Sequence, residues 1–382
     1  MDKCFETHTY ALNIFKKNMN EIIAKYSDAG RKIVMFGTSI IAEIIVEYLK
    51  NTPLDVSFIV DNDVKRQGEE VYGKIVYSPE KLKDNYNDNY LIFIASSYQD
   101  EMISQLELYG YVMNKHVIKV IDLPELMSDY SYVDRSKMTA LNAMQIRKVL
   151  LGILDNLDKC CEKHGLRYYL SSGTALGAIR HEGFIPWDDD VDVFMPIEDF
   201  IALTTILEGN KDYGVVSQFN SDNYLGWGAG YIVDRHTICD INKFPIQLTT
   251  GQEIDLFPLY GLPDDPDEME VYIKRAKELE TKCLIALQDE DRVMAIKEFN
   301  EFLLSYKYDE CNKVGNILMP FFLKDIFNKD IFGKGVKKKF ENLELRMPDR
   351  WDEYLTQVYG NYMELPPVEK RVGQHFFHTY YA

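Results

Sequence analysis

Apolar residues in this chain follow two rhythms that change near residue 128. In the first third, short apolar runs alternate with helical stretches. Lys32-Ile33-Val34-Met35-Phe36, Val56-Ser57-Phe58-Ile59-Val60 and Tyr90-Leu91-Ile92-Phe93-Ile94-Ala95 read as buried strands. A leading helix over residues 10–26 and another through Leu49 accompany them. Strands alternating with helices predict a small parallel sheet of Rossmann type. The first strand ends at Gly37-Thr38-Ser39-Ile40-Ile41-Ala42, the start of a phosphate-binding turn, and Asp61 stands where an acid could meet a ribose. Ser39 occupies the place of the second glycine and hinders backbone approach to a pyrophosphate. A packing or dimerisation unit is therefore expected in preference to a nucleotide-binding one.

Polar residues 127–138 mark a linker, and beyond it the pattern shifts. Ile146, Leu150, Ile153, Leu154 and Leu157 recur at helical spacing between Leu141 and His164, and Gly165 ends that helix. An apolar strand at Tyr168-Tyr169-Leu170 then turns through Ser171-Ser172-Gly173-Thr174 into a further helix. Small residues there let backbone N–H groups approach a phosphate, which the helix dipole favours. From Pro263 to Met347 the pattern is mostly helical. The expected division is 1–128, a leading helix and Rossmann-like module, and 129–382, a second domain in which 264–345 is a helical insertion.

Candidate chemistry lies in the run Pro186-Trp187-Asp188-Asp189-Asp190-Val191-Asp192-Val193-Phe194-Met195. In a strand, alternation places Asp190 and Asp192 on one face and the valines toward a core. Asp188 shares their parity if the strand begins early, and Asp189 points away. A further acid, Asp255, lies between Ile254 and Leu256 in another short apolar strand. Crowded carboxylates repel one another and raise each other's pKa, so a fold that keeps them together usually does so around a hard divalent ion. A lone acid-x-acid pair is common on solvated strands, but the order, apolar flanks and density here favour a metal site. Mg²⁺ is the expected ion, with Mn²⁺ as the alternative, since no Cys or His cluster has zinc spacing. A strand acid such as Asp255 could also accept the proton of an attacking hydroxyl.

The stretch Tyr169 to Pro196, containing Ser-Gly-Thr-Ala-Leu-Gly-Ala-Ile-Arg-His-Glu-Gly-Phe-Ile-Pro-Trp-Asp-Asp-Asp-Val-Asp-Val, closely resembles the LicD family. Ile254-Asp255-Leu256-Phe257-Pro258-Leu259 with Gly261-Leu262-Pro263 is similar to that family's second acidic strand. Tyr359-Gly360-Asn361-Tyr362-Met363 with Pro366-Pro367 is similar to its C-terminal signature. The resemblance implies a nucleotidyltransferase-like, mixed-sheet domain, similar in core to fukutin-related proteins. Such a domain moves a phospho-alcohol, phosphocholine or a relative, from a CDP-alcohol to a cell-surface glycan or its lipid-linked precursor, with release of CMP.

Residue by residue, the resemblance implies a metal site at Asp188, Asp190, Asp192 and Asp255, the last three catalytic. Ser172, Gly173 and Thr174 would lie against the donor phosphates, and Arg180, His181 and Trp187 would contact substrate. Arg371 and His375 would fold back over the nucleotide from the C-terminal segment. Where many relatives carry a lysine this chain has Tyr231, and Arg235 is the nearest replacement. The competing readings are a nucleotidyltransferase acting on a sugar or protein acceptor, and an inactive glycan- or nucleotide-binding scaffold.

Composition narrows the partners. With 382 residues, 46% of them hydrophobic, two packed cores are expected. A net charge of −18 argues against nucleic acid, whose phosphates call for basic patches. Six cysteines without framework spacing fit reduced thiols in the cytoplasm. No apolar run reaches membrane-spanning length and the first residues do not begin a signal peptide. Peripheral membrane association and a homodimer are compatible with this composition.

Overall fold

Burial on both faces of one short strand organises the N-terminal part. In Lys32–Phe36 (β1), Ile33 and Met35 enter one core while Val34 and Phe36 enter another. Strands buried on both sides are characteristic of parallel sheets flanked by helices. The computed structural model describes residues 15–27, 30–50, 52–96, 99–120, 138–220, 230–243, 246–286, 289–318, 325–371 and 378–381. The expected boundary at 128, nearly all of the 127–138 linker, and His375 lie outside these residues.

β1 joins Val56–Val60 (β2), Glu70–Val71 (β3), Lys74–Tyr77 (β4), Tyr90–Ile94 (β5) and Val117–Lys119 (β6) in one sheet of order β3-β4-β2-β1-β5-β6. Every pairing is parallel except β3 with β4. A helix over residues 15–26 and the helix Ile40–Leu49 share the Ile33 core, and Gln99–Leu108 contributes Met102 and Leu106 to the other.

The helix Ala143–His164 starts where Asn142 and Gln145 exchange side-chain and backbone hydrogen bonds, and it stops at Gly165, φ +70°. Its buried stripe Leu150, Ile153, Leu154 and Leu157 faces the larger core. That core also holds the inner faces of a second sheet. The strands that follow are Tyr169–Leu170 (β7), Asp192–Pro196 (β8), Tyr213–Val216 (β9), Gly230–Asp234 (β10), Thr237–Lys243 (β11) and Ile246–Thr250 (β12). After them come Glu253–Leu262 (β13), Lys313–Gly315 (β14), Ile326–Asn328 (β15), Val336–Phe340 (β16), Leu343–Met347 (β17) and His378–Tyr381 (β18). Seven of these form a mixed sheet around β13, which β8 and β10 flank, and its last residues pair with β14. β12, β11 and β18 form a separate sheet, and β16 with β17 a hairpin. The protein is thus a mixed α/β structure.

The helical expectation over 264–345 holds only in part. Pro266–Ile285 and Asp289–Leu303 are helices, and Asp265 caps the first by accepting from the Asp267 and Glu268 N–H groups. Beyond Tyr308 the chain forms short strands instead. Lys337-Lys338-Lys339 lies in β16, where Lys337 reaches Asp158 at 2.6 Å and Lys338 lies over Trp351. Strands this short carry too few alternations for a period of two to outweigh a run of charge. Among the described residues, no helix is long and apolar enough to cross a membrane.

Candidate active site

Burial of Val193, Phe194 and Met195 on one side and Ile254 and Leu256 on the other aligns β8 with β13 in parallel. In the resulting register Asp192 sits directly opposite Asp255. Asp190 lies two residues before β8, and one carboxylate oxygen from each of Asp190, Asp192 and Asp255 comes within 4.8 Å of the others. Asp188, Asp189 and Asp190 form a second such group, with Asp190 common to both. Here the structure departs from the sequence reading: Asp189 does not point away. The strand begins only at Asp192, so the alternation that would have turned Asp189 outward does not reach it.

The neighbouring acids act strongly on Asp192. Burial, and after it the charges of Asp190, Asp255, Asp188 and Asp325, hold the Asp192 carboxyl well above the usual carboxylate range. Asp325 is a further acid that sequence patterns did not single out. Burial and the charges of Asp192, Asp188, Asp190 and Asp325 likewise raise the Tyr359 phenol. Every charged side chain of the acidic core is an oxygen donor, the set a hard divalent cation prefers and a thiophilic one does not.

The helix Ser172–Arg180 presents its N-terminus beside these acids. Ser172 adopts φ +46°, and its N–H donates to the Tyr354 hydroxyl at 2.8 Å. Thr174, buried, accepts from the Asp192 N–H at 2.9 Å through Oγ1, which ties the helix to β8. The Ser171 hydroxyl is buried with no hydrogen-bond partner among the described residues. A Cβ on Gly173 would lie 2.5 Å from Oδ2 of Asp188, so a side chain there would displace the Asp188 carboxylate.

The connection from Arg180 to Asp188 is held from outside. A Cβ on Gly177 would lie 2.4 Å from the Gly183 carbonyl, so helix and loop touch backbone to backbone. The tip of the β16–β17 hairpin supports the loop: Glu341 N–H donates to the Glu182 carbonyl at 2.7 Å, and Phe184 N–H donates to Glu341 Oε1 at 3.2 Å. Arg147, on the long helix, donates to the carbonyls of Ile185 and Pro186 at 3.1 and 3.0 Å.

Basic and aromatic groups border the acids. Arg180 donates through Nη1 to the Tyr362 carbonyl at 3.0 Å, and Arg371 donates through Nε to the Pro366 carbonyl at 2.8 Å. The Arg371 guanidinium lies 5.5 Å from the centre of the Trp187 ring, and the His181 ring meets that indole edge-on at 6.2 Å. Burial lowers the pKa of Arg180, with Arg371 adding to the effect and Tyr359 and Asp188 opposing it. Burial and the Arg180 charge depress His181. Neither Arg180 nor Arg371 forms an ion pair among the described residues. Tyr231 pairs with Asp255 across β10 and β13, whereas Arg235 lies beyond Asp234 in the turn before β11 and donates to the Tyr213 carbonyl at 3.1 Å. Tyr354, Arg147, Asp325 and Glu341 were not found from sequence because each reaches the site from a distant element with no local motif.

Comparison with known proteins agrees with this geometry. Residues 165–282 match the family model described as LicD/FKTN/FKRP, nucleotidyltransferase domain, and residues 29–118 match the model C2185-like, N-terminal. The chain is 28% identical over 269 residues to the lipopolysaccharide cholinephosphotransferase LicD of Haemophilus influenzae, covering 64% of this chain and 99% of that protein. It is 30% identical over 99 residues to the ribitol 5-phosphate transferase FKRP of Homo sapiens, covering 26% of this chain and 18% of that one. Residues 165–282 are accordingly similar to the LicD/FKTN/FKRP nucleotidyltransferase domain, and Asp190, Asp192 and Asp255 lie within the matched segment.

Proposed function

We propose that this protein transfers a phospho-alcohol, phosphocholine or a close relative, from a CDP-alcohol to a glycan or its lipid-linked precursor, releasing CMP. The observation that carries the reading is the register of Asp192 opposite Asp255, with Asp190 completing the group beside a glycine-lined helix N-terminus. The activities for which the LicD and FKRP relatives are named, both transfers of a phosphate-linked alcohol, support it.

Asp190, Asp192 and Asp255, with Asp188 in support, would hold Mg²⁺ or Mn²⁺. The donor set fits, because an oxygen-only cluster whose central acid is strained by its neighbours gains from a hard cation. A divalent ion bound there would offset the charge of the donor's diphosphate. The residues of the chain do the rest. Ser172, whose N–H already donates to Tyr354, and Gly173 would set the N-terminus of their helix toward a phosphate, Arg180 and Arg371 offer charged donors, and Trp187 a face for the donor. Asp255 is assigned to receive the proton of the attacking hydroxyl.

Incubation with CDP-choline, CDP-ribitol or CDP-glycerol, Mg²⁺ and a glycan acceptor should release CMP and leave the phospho-alcohol on the acceptor. Nucleoside phosphate retained on the acceptor would instead establish a nucleotidyltransferase. Near wild-type transfer by Asp255→Asn at saturating Mg²⁺ would remove that residue from proton acceptance.

The N-terminal sheet we read as a Rossmann-like packing unit rather than a nucleotide site. Its turn is closed by its own contacts. Gly37, at φ +109°, approaches Ala95 so closely that a Cβ would lie 2.5 Å from the Ala95 carbonyl oxygen. Ser39 donates to that same oxygen at 2.7 Å, and Thr38 donates to Asp61 Oδ2 at 2.7 Å. Titrating the whole chain with NAD should give no saturable heat. A saturable signal lost on Asp61→Ala would refute this reading.

A further inference from the structure

We propose that a second, polar pocket at the far end of the catalytic sheet binds a sugar residue of the acceptor; this rests on the glycan reading above. The pocket measures about 440 Å³ and lies between Arg167, the turn Tyr308–Glu310 and the segment from Asn328 to Gly333. Small-ligand sites span roughly 300–1,000 Å³. Arg167 lies two residues before β7, which runs antiparallel to β8 with Tyr169 opposite Phe194. At ~3.3 Å per strand residue the pocket is therefore about 13 Å along the sheet from Asp192, clear of the acidic site.

Its lining is charged but balanced. Arg167 donates to Asp199 at 2.6 Å and to both carboxylate oxygens of Asp309 at 2.6 and 3.1 Å. Lys329 donates to the Asp309 carbonyl at 2.6 Å, and Asp330 accepts from Arg350 at 3.0 Å. Charges already matched offer no net field to draw in an ion, and displacing one partner would leave the other exposed to the cost of separation. A neutral ligand suits such a surface.

Two amides make the pocket selective for hydroxyl groups. Asn312 donates through Nδ2 to Asp264 at 2.7 Å, which holds the side chain and leaves Oδ1 as an acceptor. Asn328 accepts through Oδ1 from Lys313 at 2.8 Å, which leaves Nδ2 as a donor. Each amide spends one atom on the protein and offers the other, so little side-chain freedom is lost when a ligand binds. The Arg167 guanidinium, 5.1 Å from the centre of the Tyr308 ring, is held in the same way and keeps N–H groups to spare. Fixed donors beside fixed acceptors, without net charge, match vicinal hydroxyls, each of which donates and accepts. A glycan reacting at the acidic site would reach this pocket a few sugar units from the point of transfer.

Saturation-transfer NMR on the full chain, without donor, should detect binding of at least one of glucose, galactose, N-acetylglucosamine and lactose. Asn312→Ala and Asn328→Ala should each weaken that binding about five-fold, the worth of one net hydrogen bond. Their melting temperatures should match wild type, and Asp190→Asn should leave the affinity unchanged. No signal from any of the four sugars, a signal indifferent to both amide variants, or one lost in Asp190→Asn would overturn the proposal. Because no donor is present, such a failure leaves the transfer reading standing, and that reading is tested separately by CMP release.

Discussion

Asp192→Asn should stabilise the metal-free protein and abolish transfer. Three carboxylates are held with oxygens inside 4.8 Å, and burial with like charge raises the Asp192 pKa well above its ordinary value. Folding without a cation therefore works against this group. The sign follows from proton binding. Between the ordinary carboxylate pKa and the raised one, native Asp192 retains a proton that the unfolded chain has released. The unfolded state then binds fewer protons, and stability falls as pH rises through that window. Wild-type protein in EDTA should lose melting temperature from mildly acidic to neutral pH, and Mg²⁺ should restore it by binding the folded state.

Asparagine removes the titration, so the variant should melt higher than wild type in EDTA at neutral pH, on the order of 2–5 °C. It should also respond less to both pH and Mg²⁺. Transfer should fall by at least about 100-fold, since charge stabilisation at the reacting phosphate is lost. Thermal scans over pH, with and without Mg²⁺, check the first part and CMP release the second. A variant less stable than wild type in EDTA would contradict the account of Asp192 as a strained ligand.

The second large effect concerns the arginines. Arg371→Gln and Arg180→Gln should each weaken donor binding by roughly 10- to 100-fold, the range for charge-assisted hydrogen bonds of about 1.5–3 kcal/mol. Both guanidiniums stand near the acids without an ion pair among the described residues, and each commits only part of its donor set to loop carbonyls. The Arg371 guanidinium also lies 5.5 Å from the centre of the Trp187 ring, and Arg371→Lys should recover little, because an ammonium lacks the planar fork. Calorimetry with CDP-choline and Mg²⁺ measures the effect, and unchanged affinity in both Gln variants would exclude them from the donor site. Deleting the C-terminal segment is a poorer test. β18 pairs with β11, and the buried Thr379 hydroxyl donates to Gln252 at 2.7 Å, so truncation would damage the fold as well.

Local pattern was sufficient wherever a residue's neighbours in sequence are also its neighbours in space. β1, β2, β5 and the helix Ala143–His164 were legible because apolar period and capping residues act within a few positions. The acidic run was legible for the same reason. Asp189 was misplaced because the start of β8 depends on where β13 stops pairing, which no local alternation reveals. The strands β14 to β17 were hidden because each is too short to show a period and is held by partners far along the chain.

The sequence by itself therefore picked out Asp188, Asp190, Asp192 and Asp255 as candidates for charge chemistry and missed Asp325. Only the tertiary structure decided their company: Asp255 opposite Asp192, Asp188 against Gly173, Asp325 within reach of the group, Arg371 over Trp187, and the Glu341 hairpin tip beneath the loop. Strand register and loop contact are set by burying apolar faces across elements far apart in the chain, and that requirement has no signature within either element alone.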